Sequence, residues 1–138
     1  MVYQYRYKFY LNANHFVVIG GRKGAPHSHC FELTIEIASV AGHETVAFES
    51  IERAIDALLM PYQNNLLNDI EPFNDIVPTL ENICAYFKDE ISRILLEMNW
   101  VLMSIEVSET PSRSFVMTID DIEFAKSELY KNNKIYYR

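Results

Sequence analysis

Three of the chain's four histidines are spaced so that they could hold one metal ion. His15 follows Ala13 and Asn14, and His27 and His29 flank Ser28. In an extended strand, residues i and i+2 project to the same face. His27 and His29 therefore project together, and a strand alongside can bring His15 to meet them. Neutral imidazole is a good Zn²⁺ ligand, and three protein ligands leave a fourth position open, as in catalytic zinc sites. Any one of these residues alone reads as a satisfied core or edge histidine. Together they point to Zn²⁺ held by His15, His27 and His29.

Two strands must carry them. Tyr3, Tyr5, Tyr7, Phe9, Leu11, Ala13 and His15 alternate with Gln4, Arg6, Lys8, Asn12 and Asn14, Tyr10 being the exception. That is a half-buried antiparallel strand. His27, His29, Phe31, Leu33, Ile35 and Ile37 alternate with Ser28, Glu32, Thr34 and Glu36. The histidines thus continue the buried faces. Residues 20–26, Gly20 to Pro26, read as the connecting loop.

Two helices follow. Phe48 to Tyr62 carries Ile51, Ile55, Leu58, Leu59 and Tyr62 at helical spacing, with Pro61 at its end. Pro78 and Thr79 open the second, with Thr79 as N-cap and Glu81 in the first turn. Its apolar stripe is Ile83, Tyr86, Phe87, Ile91, Ile94 and Leu95. Val101, Met103, Ile105, Val107 and Glu109 then share one strand face, and Phe115 to Ile119 reads as a last short strand. A small helix is expected over residues 120–130. The order ββααββ predicts an α+β domain, an antiparallel four-stranded sheet with a pair of antiparallel helices on one face.

The 138 residues suit one domain, spanning 1–138. Apolar residues make up 49% and charged residues 22%, as in ordinary globular proteins. A net charge of −7 argues against nucleic acid, which needs a basic surface. Two cysteines, Cys30 and Cys84, make no disulfide framework. No apolar run is long enough to span a bilayer and no signal peptide is recognisable, so a cytoplasmic protein is expected.

Over roughly residues 5–119 the chain resembles the 6-pyruvoyl-tetrahydropterin synthase and 6-carboxytetrahydropterin synthase family, which has the T-fold. Ala13 and His15 resemble the first zinc-histidine motif. His27, Ser28 and His29 resemble the family's histidine–glycine–histidine, with serine for glycine. Leu66, Leu67, Asn68 and Asp69, then Pro78, Thr79, Glu81 and Asn82, resemble the segment between and into the helices. Glu109 and Thr110 resemble the pair whose glutamate grips the pterin ring. The resemblance implies a zinc-dependent lyase acting on dihydroneopterin triphosphate. It also implies homo-oligomers, trimers or hexamers, with sites between subunits and Thr79 bordering the ligand. Residues 120–138 would be a C-terminal extension.

The departures concern proton transfer. The family's catalytic cysteine lies in the loop before the paired histidines, where this chain has Arg22, Lys23, Gly24, Ala25 and Pro26. Cys30 follows His29, so alternation turns it to the opposite face. The family's aspartate–histidine pair is replaced by Gln63, Asn64 and Asn65, and an aspartate before Phe48 by Ala47. Each such acid or base supplies about 10² to 10⁴-fold in rate. Lys23 is the one replacement base considered; a solvated loop lysine and a contact to a substrate phosphate are its other readings. His43 reads as a loop residue. Glu109 alone would read as a solvent-facing strand end, and Thr79 as a helix cap. Two function classes stay open: a synthase-like enzyme with altered chemistry, and a pseudoenzyme that binds zinc and a pterin- or purine-like ring. Purely structural zinc is a third reading.

Overall fold

The computed structural model describes residues 4–39 and 48–119. Strand β1, Tyr5–His15, and strand β4, His27–Ser39, are joined by a ribbon of two short strands, β2 (Val18–Ile19) and β3 (Arg22–Lys23). Helices α1 (Phe48–Leu59) and α2 (Leu80–Glu97) come next, and β5 (Trp100–Thr110) and β6 (Arg113–Thr118) end the described fold. The main sheet runs β1-β4-β5-β6, antiparallel throughout. This is the expected α+β architecture, with one addition. The stretch read as loop folds back as a ribbon, turning at Gly20 and Gly21 with φ of 59° and 77°. Two successive positive φ values suit a tight hairpin, and glycine reaches them without strain.

One face of the sheet and the helices share the core. Phe9, Leu11, Phe31, Leu33 and Ile35 meet Ile51, Ile55 and Leu59 of α1 and Ile83, Phe87, Ile91 and Leu95 of α2. Each such side chain contributes about 1.5 to 3 kcal/mol when fully buried. The helical stripes match the sequence pattern, with buried Cys84 added and Tyr86 and Ile94 only half-buried. Helix α1 is shorter than expected: it stops at Leu59, and Pro61 sits in a 3₁₀ turn over Met60–Tyr62. The opposite sheet face is polar, with Lys8 3.0 Å from Glu32 and Arg6 3.7 Å from Glu36.

Strand β5 corrects the sequence pattern. Glu36 pairs with Ser104 but Ile37 with Leu102, so Met103 is an extra residue in a bulge. Beyond it the faces exchange. Trp100 and Leu102 join Ile105 and Val107 in the main core, whereas Val101 and Met103 pack with Ala38 and Leu96 in a separate cluster. The single face proposed for Val101 to Glu109 breaks at the bulge: Val101 and Met103 leave it, and Ile105, Val107 and Glu109 keep it. Strand β6 starts at Arg113, earlier than Phe115, because Pro111 and Ser112 make a tight connection to β5. His43, Ala47, the helix proposed over 120–130 and the extension to 138 lie outside the described residues.

The segment after α1 seals part of the β1 edge. Asn64 N donates to Asn12 O at 2.6 Å, Asn14 N to Asn65 O at 3.0 Å, and Asn14 bridges Leu66 in parallel. Gln63 completes the track: its Oε1 accepts from Asn12 N at 3.0 Å and its Nε2 donates to Tyr10 O at 2.8 Å. Gln63→Ala should therefore lower stability by about 1 kcal/mol. Urea unfolding checks this. An unchanged midpoint would mean the side chain does not hold the strand edge.

Candidate functional site

Strand register brings the histidines together. His15 and His27 are direct partners across β1 and β4, and His29 faces Ala13 one pleat away. Ring centroids are 4.8 Å apart for His15 and His27, 4.7 Å for His27 and His29, and 5.2 Å for His15 and His29. The parity expected from the sequence holds, but cover is uneven. His15 is 2% exposed, His29 is half-buried and His27 is exposed, because β4 begins beyond the helical cover. Glu109 joins them from β5. Its Oε1 stands 3.0 Å from His29 Nε2 and 3.7 Å from His15 Nε2. One ligand atom from each of the four lies within 4.8 Å of the others, a group able to hold a metal ion.

The rings are oriented for this by backbone carbonyls. His15 Nδ1 donates to Pro78 O at 2.9 Å and His27 Nδ1 to Ala25 O at 3.1 Å. With hydrogen on Nδ1, the lone pair is on Nε2, facing the other histidines. His15 Nε2 and His29 Nε2 are buried and make no hydrogen bond. Buried polar atoms without partners are rare and costly, and an absent ion is a standard reason for them. Burial, above all, holds the His29 pKa below its ordinary value; Glu109 opposes this, and His15, His27 and Arg113 reinforce it. His29 is thus kept neutral, the form that binds metals.

Asn68 fixes the approach to His15. Its Oδ1 accepts from Phe16 N and its Nδ2 donates to Phe16 O, both at 3.0 Å. The amide thus copies a strand partner for the residue after His15. Thr79 caps α2 by accepting from Asn82 N at 3.2 Å, and it also lines the cavity above the histidines. That cavity is open and about 670 Å³, and Glu109, Glu81 and Arg113 border it. Arg113 was not singled out from the sequence, which offered no signal for it; it makes no salt bridge among the described residues.

The other residues considered lie elsewhere. Lys23 Nζ stacks 4.2 Å over the Phe16 ring, outside the cavity lining. Cys30 is exposed and pairs with Asn12 on the strand. Cys84 is buried among core side chains, and burial pushes its thiol up to about 11. Asn65 Nδ2 donates to Pro61 O at 2.9 Å, and Gln63 is tied to β1. These side chains act on backbone, and none of them titrates near neutral pH.

Comparison with known proteins agrees with this fold. A family model described as 6-pyruvoyl tetrahydropterin synthase matches residues 4–119. No curated protein matches the chain significantly. Among solved structures, the Caenorhabditis elegans 6-pyruvoyl tetrahydropterin synthase is similar in fold, with a TM-score of 0.71 at 15% identity, covering 87% of this chain and 97% of that one. An uncharacterized Wolinella succinogenes protein gives 0.67 at 11% identity, covering 87% and 99%. A catalytic-residue mutant of the Plasmodium vivax 6-pyruvoyltetrahydropterin synthase gives 0.65 at 13% identity, covering 86% and 99%. At such identities the likeness is one of fold.

Proposed function

The chain belongs to the 6-pyruvoyl tetrahydropterin synthase family, and from that premise we propose that it binds Zn²⁺ and a pterin-type ligand such as dihydroneopterin triphosphate. The observation that carries this reading is the set of converging imidazole nitrogens, two of them buried without partners. Three histidines with a carboxylate beside them suit zinc in donor type and number. Bound there, the ion would supply Lewis acidity to an oxygen of the ligand.

The chain's own residues do the rest. His15, His27 and His29 hold the ion, and the carbonyls of Pro78 and Ala25 fix the first two rings. Glu109 accepts the paired N–H donors that a pterin ring presents. Thr79 borders the ring, and Arg113 faces an anionic tail across the cavity. The family's thiol and second histidine have no counterpart at the cavity among the described residues. No described thiol or spare histidine reaches the cavity, and Lys23 is engaged with Phe16. The chain is therefore read as synthase-like in binding and weak in the family's turnover. A protein that binds a pterin- or purine-like ring without turnover is the second reading, favoured by the side chains of Gln63 and Asn65 being spent on backbone.

Three outcomes are expected. Elemental analysis of untagged protein should give about one zinc per chain, lost in His27→Ala. Little metal, unchanged by that substitution, would remove the site. Turnover of dihydroneopterin triphosphate should fall at least about 10²-fold below a true synthase measured beside it. Calorimetry should still show pterin binding, abolished in Glu109→Ala. Synthase-level turnover would return Lys23 to the mechanism, and unaltered binding would take Glu109 out of the ring site. Assembly is the third. Among the described residues, no strand pairs with the outer edge of β6, or with β1 from Tyr5 to Phe9 where residues 63–66 do not cover it. Open edges invite pairing with other copies. Light scattering should report trimers or hexamers, and a monomer at micromolar concentration would contradict this.

A further inference from the structure

We propose that Glu109 is a fourth protein ligand to the metal whenever no ring is bound, so that the resting site is closed. This rests on the metal reading above. The first support is distance. Two ligands bonded at ~2.0 to 2.1 Å to one tetrahedral ion stand ~3.3 Å apart. Glu109 Oε1 is 3.0 Å from His29 Nε2 and 3.7 Å from His15 Nε2, on either side of that value.

The second support is direction. At 3.0 Å an ion-paired imidazolium would point its N–H at the carboxylate oxygen. Here the oxygen lies off that line, and His29 Nε2 makes no hydrogen bond. Atoms that crowd each other without bonding, lone pairs inward, are arranged as ligands around a common centre.

The third support is backbone. Ser108 pairs with Ser114, but Thr110 pairs with Arg113, so Glu109 is the extra residue of a second β5 bulge. Glu109 keeps the face of Ile105 and Val107, beside the histidines, and the bulge frees it from pairing with β6. Its side chain is 17% exposed. No described residue donates a hydrogen bond to it. It lines the open cavity beside two imidazole nitrogens, where a carboxylate gains from a cation or a hydrogen-bond donor. Ligation satisfies it in the resting state, and the N–H pair of a ring satisfies it when a ligand arrives. The same carboxylate cannot serve both, so ring binding would free the fourth metal position.

The test uses the full chain, stripped of metal and reloaded with Co²⁺, whose visible spectrum reports its ligands. Wild type, Glu109→Gln and Glu109→Asp are compared, with Zn²⁺ affinity measured by competition against a chromophoric chelator. Unloaded proteins are first matched by thermal melting. Both variants should shift the Co²⁺ bands and weaken Zn²⁺ binding by at least about 10-fold. Neopterin should move the wild-type spectrum toward that of Glu109→Gln and leave the variant's unmoved. Variant spectra and affinities within about twofold of wild type would overturn the proposal. Should neopterin bind under that result, the pterin reading survives alone. Weakened Zn²⁺ binding in the variants with no neopterin binding would support the fourth ligand and overturn the pterin reading.

Discussion

An imidazole nitrogen removed from water needs a hydrogen bond or a ligand, and His15 and His29 each keep one that makes no hydrogen bond. Leaving a polar atom so costs about 1 to 3 kcal/mol. Two such atoms side by side, with a carboxylate oxygen between them, would be an expensive accident. A cation at their focus turns the same arrangement from a cost into the strongest local interaction. Most of what surrounds the site can be understood as keeping those lone pairs aimed inward.

The scaffold does this from four directions. Register between β1 and β4 sets His15 opposite His27. The Pro78 carbonyl, just before α2, takes the Nδ1 hydrogen of His15, so the helix start and the strand end are locked together. Asn68 holds the backbone of Phe16 by two hydrogen bonds, so the strand cannot fray past His15. The face of Ile105 and Val107 on β5 brings in Glu109. The segment after α1 acts, through Gln63, as a side-chain partner for a strand edge.

Strand alternation and helical spacing are local, and they were legible. The odd-numbered residues of β1 from Tyr7 on and those of β4 from Phe31 to Ile37 lie in the core as their pattern implies, and so do most residues of the helical stripes, Leu58, Tyr86 and Ile94 being half-buried. The shared face of His27 and His29 followed from the same alternation. Bulges are not local in that sense. One extra residue at Met103 exchanged the faces of Val101 and Leu102, and nothing in the apolar run Trp100 to Met103 marks where the slip falls. Ile105, Val107 and Glu109 keep one face, so alternation did place Glu109 beside the histidines, whereas the bulge against β6 at that residue left no mark in the pattern. The Gln63 contacts join residues more than fifty positions apart, and an amide that mimics a strand has no sequence signature. Arg113 was invisible for a similar reason: a charged residue after a turn looks the same whether it faces solvent or a cavity.

The central claim is that these four side chains surround one metal ion. Crystals of protein purified without added metal, measured just above and just below the zinc absorption edge, test it most directly. The account predicts a single anomalous peak per chain, present only above the edge, within bonding distance of Nε2 of His15, His27 and His29. A map with no peak there, and with those nitrogens hydrogen-bonded to water or to Glu109 instead, would contradict it.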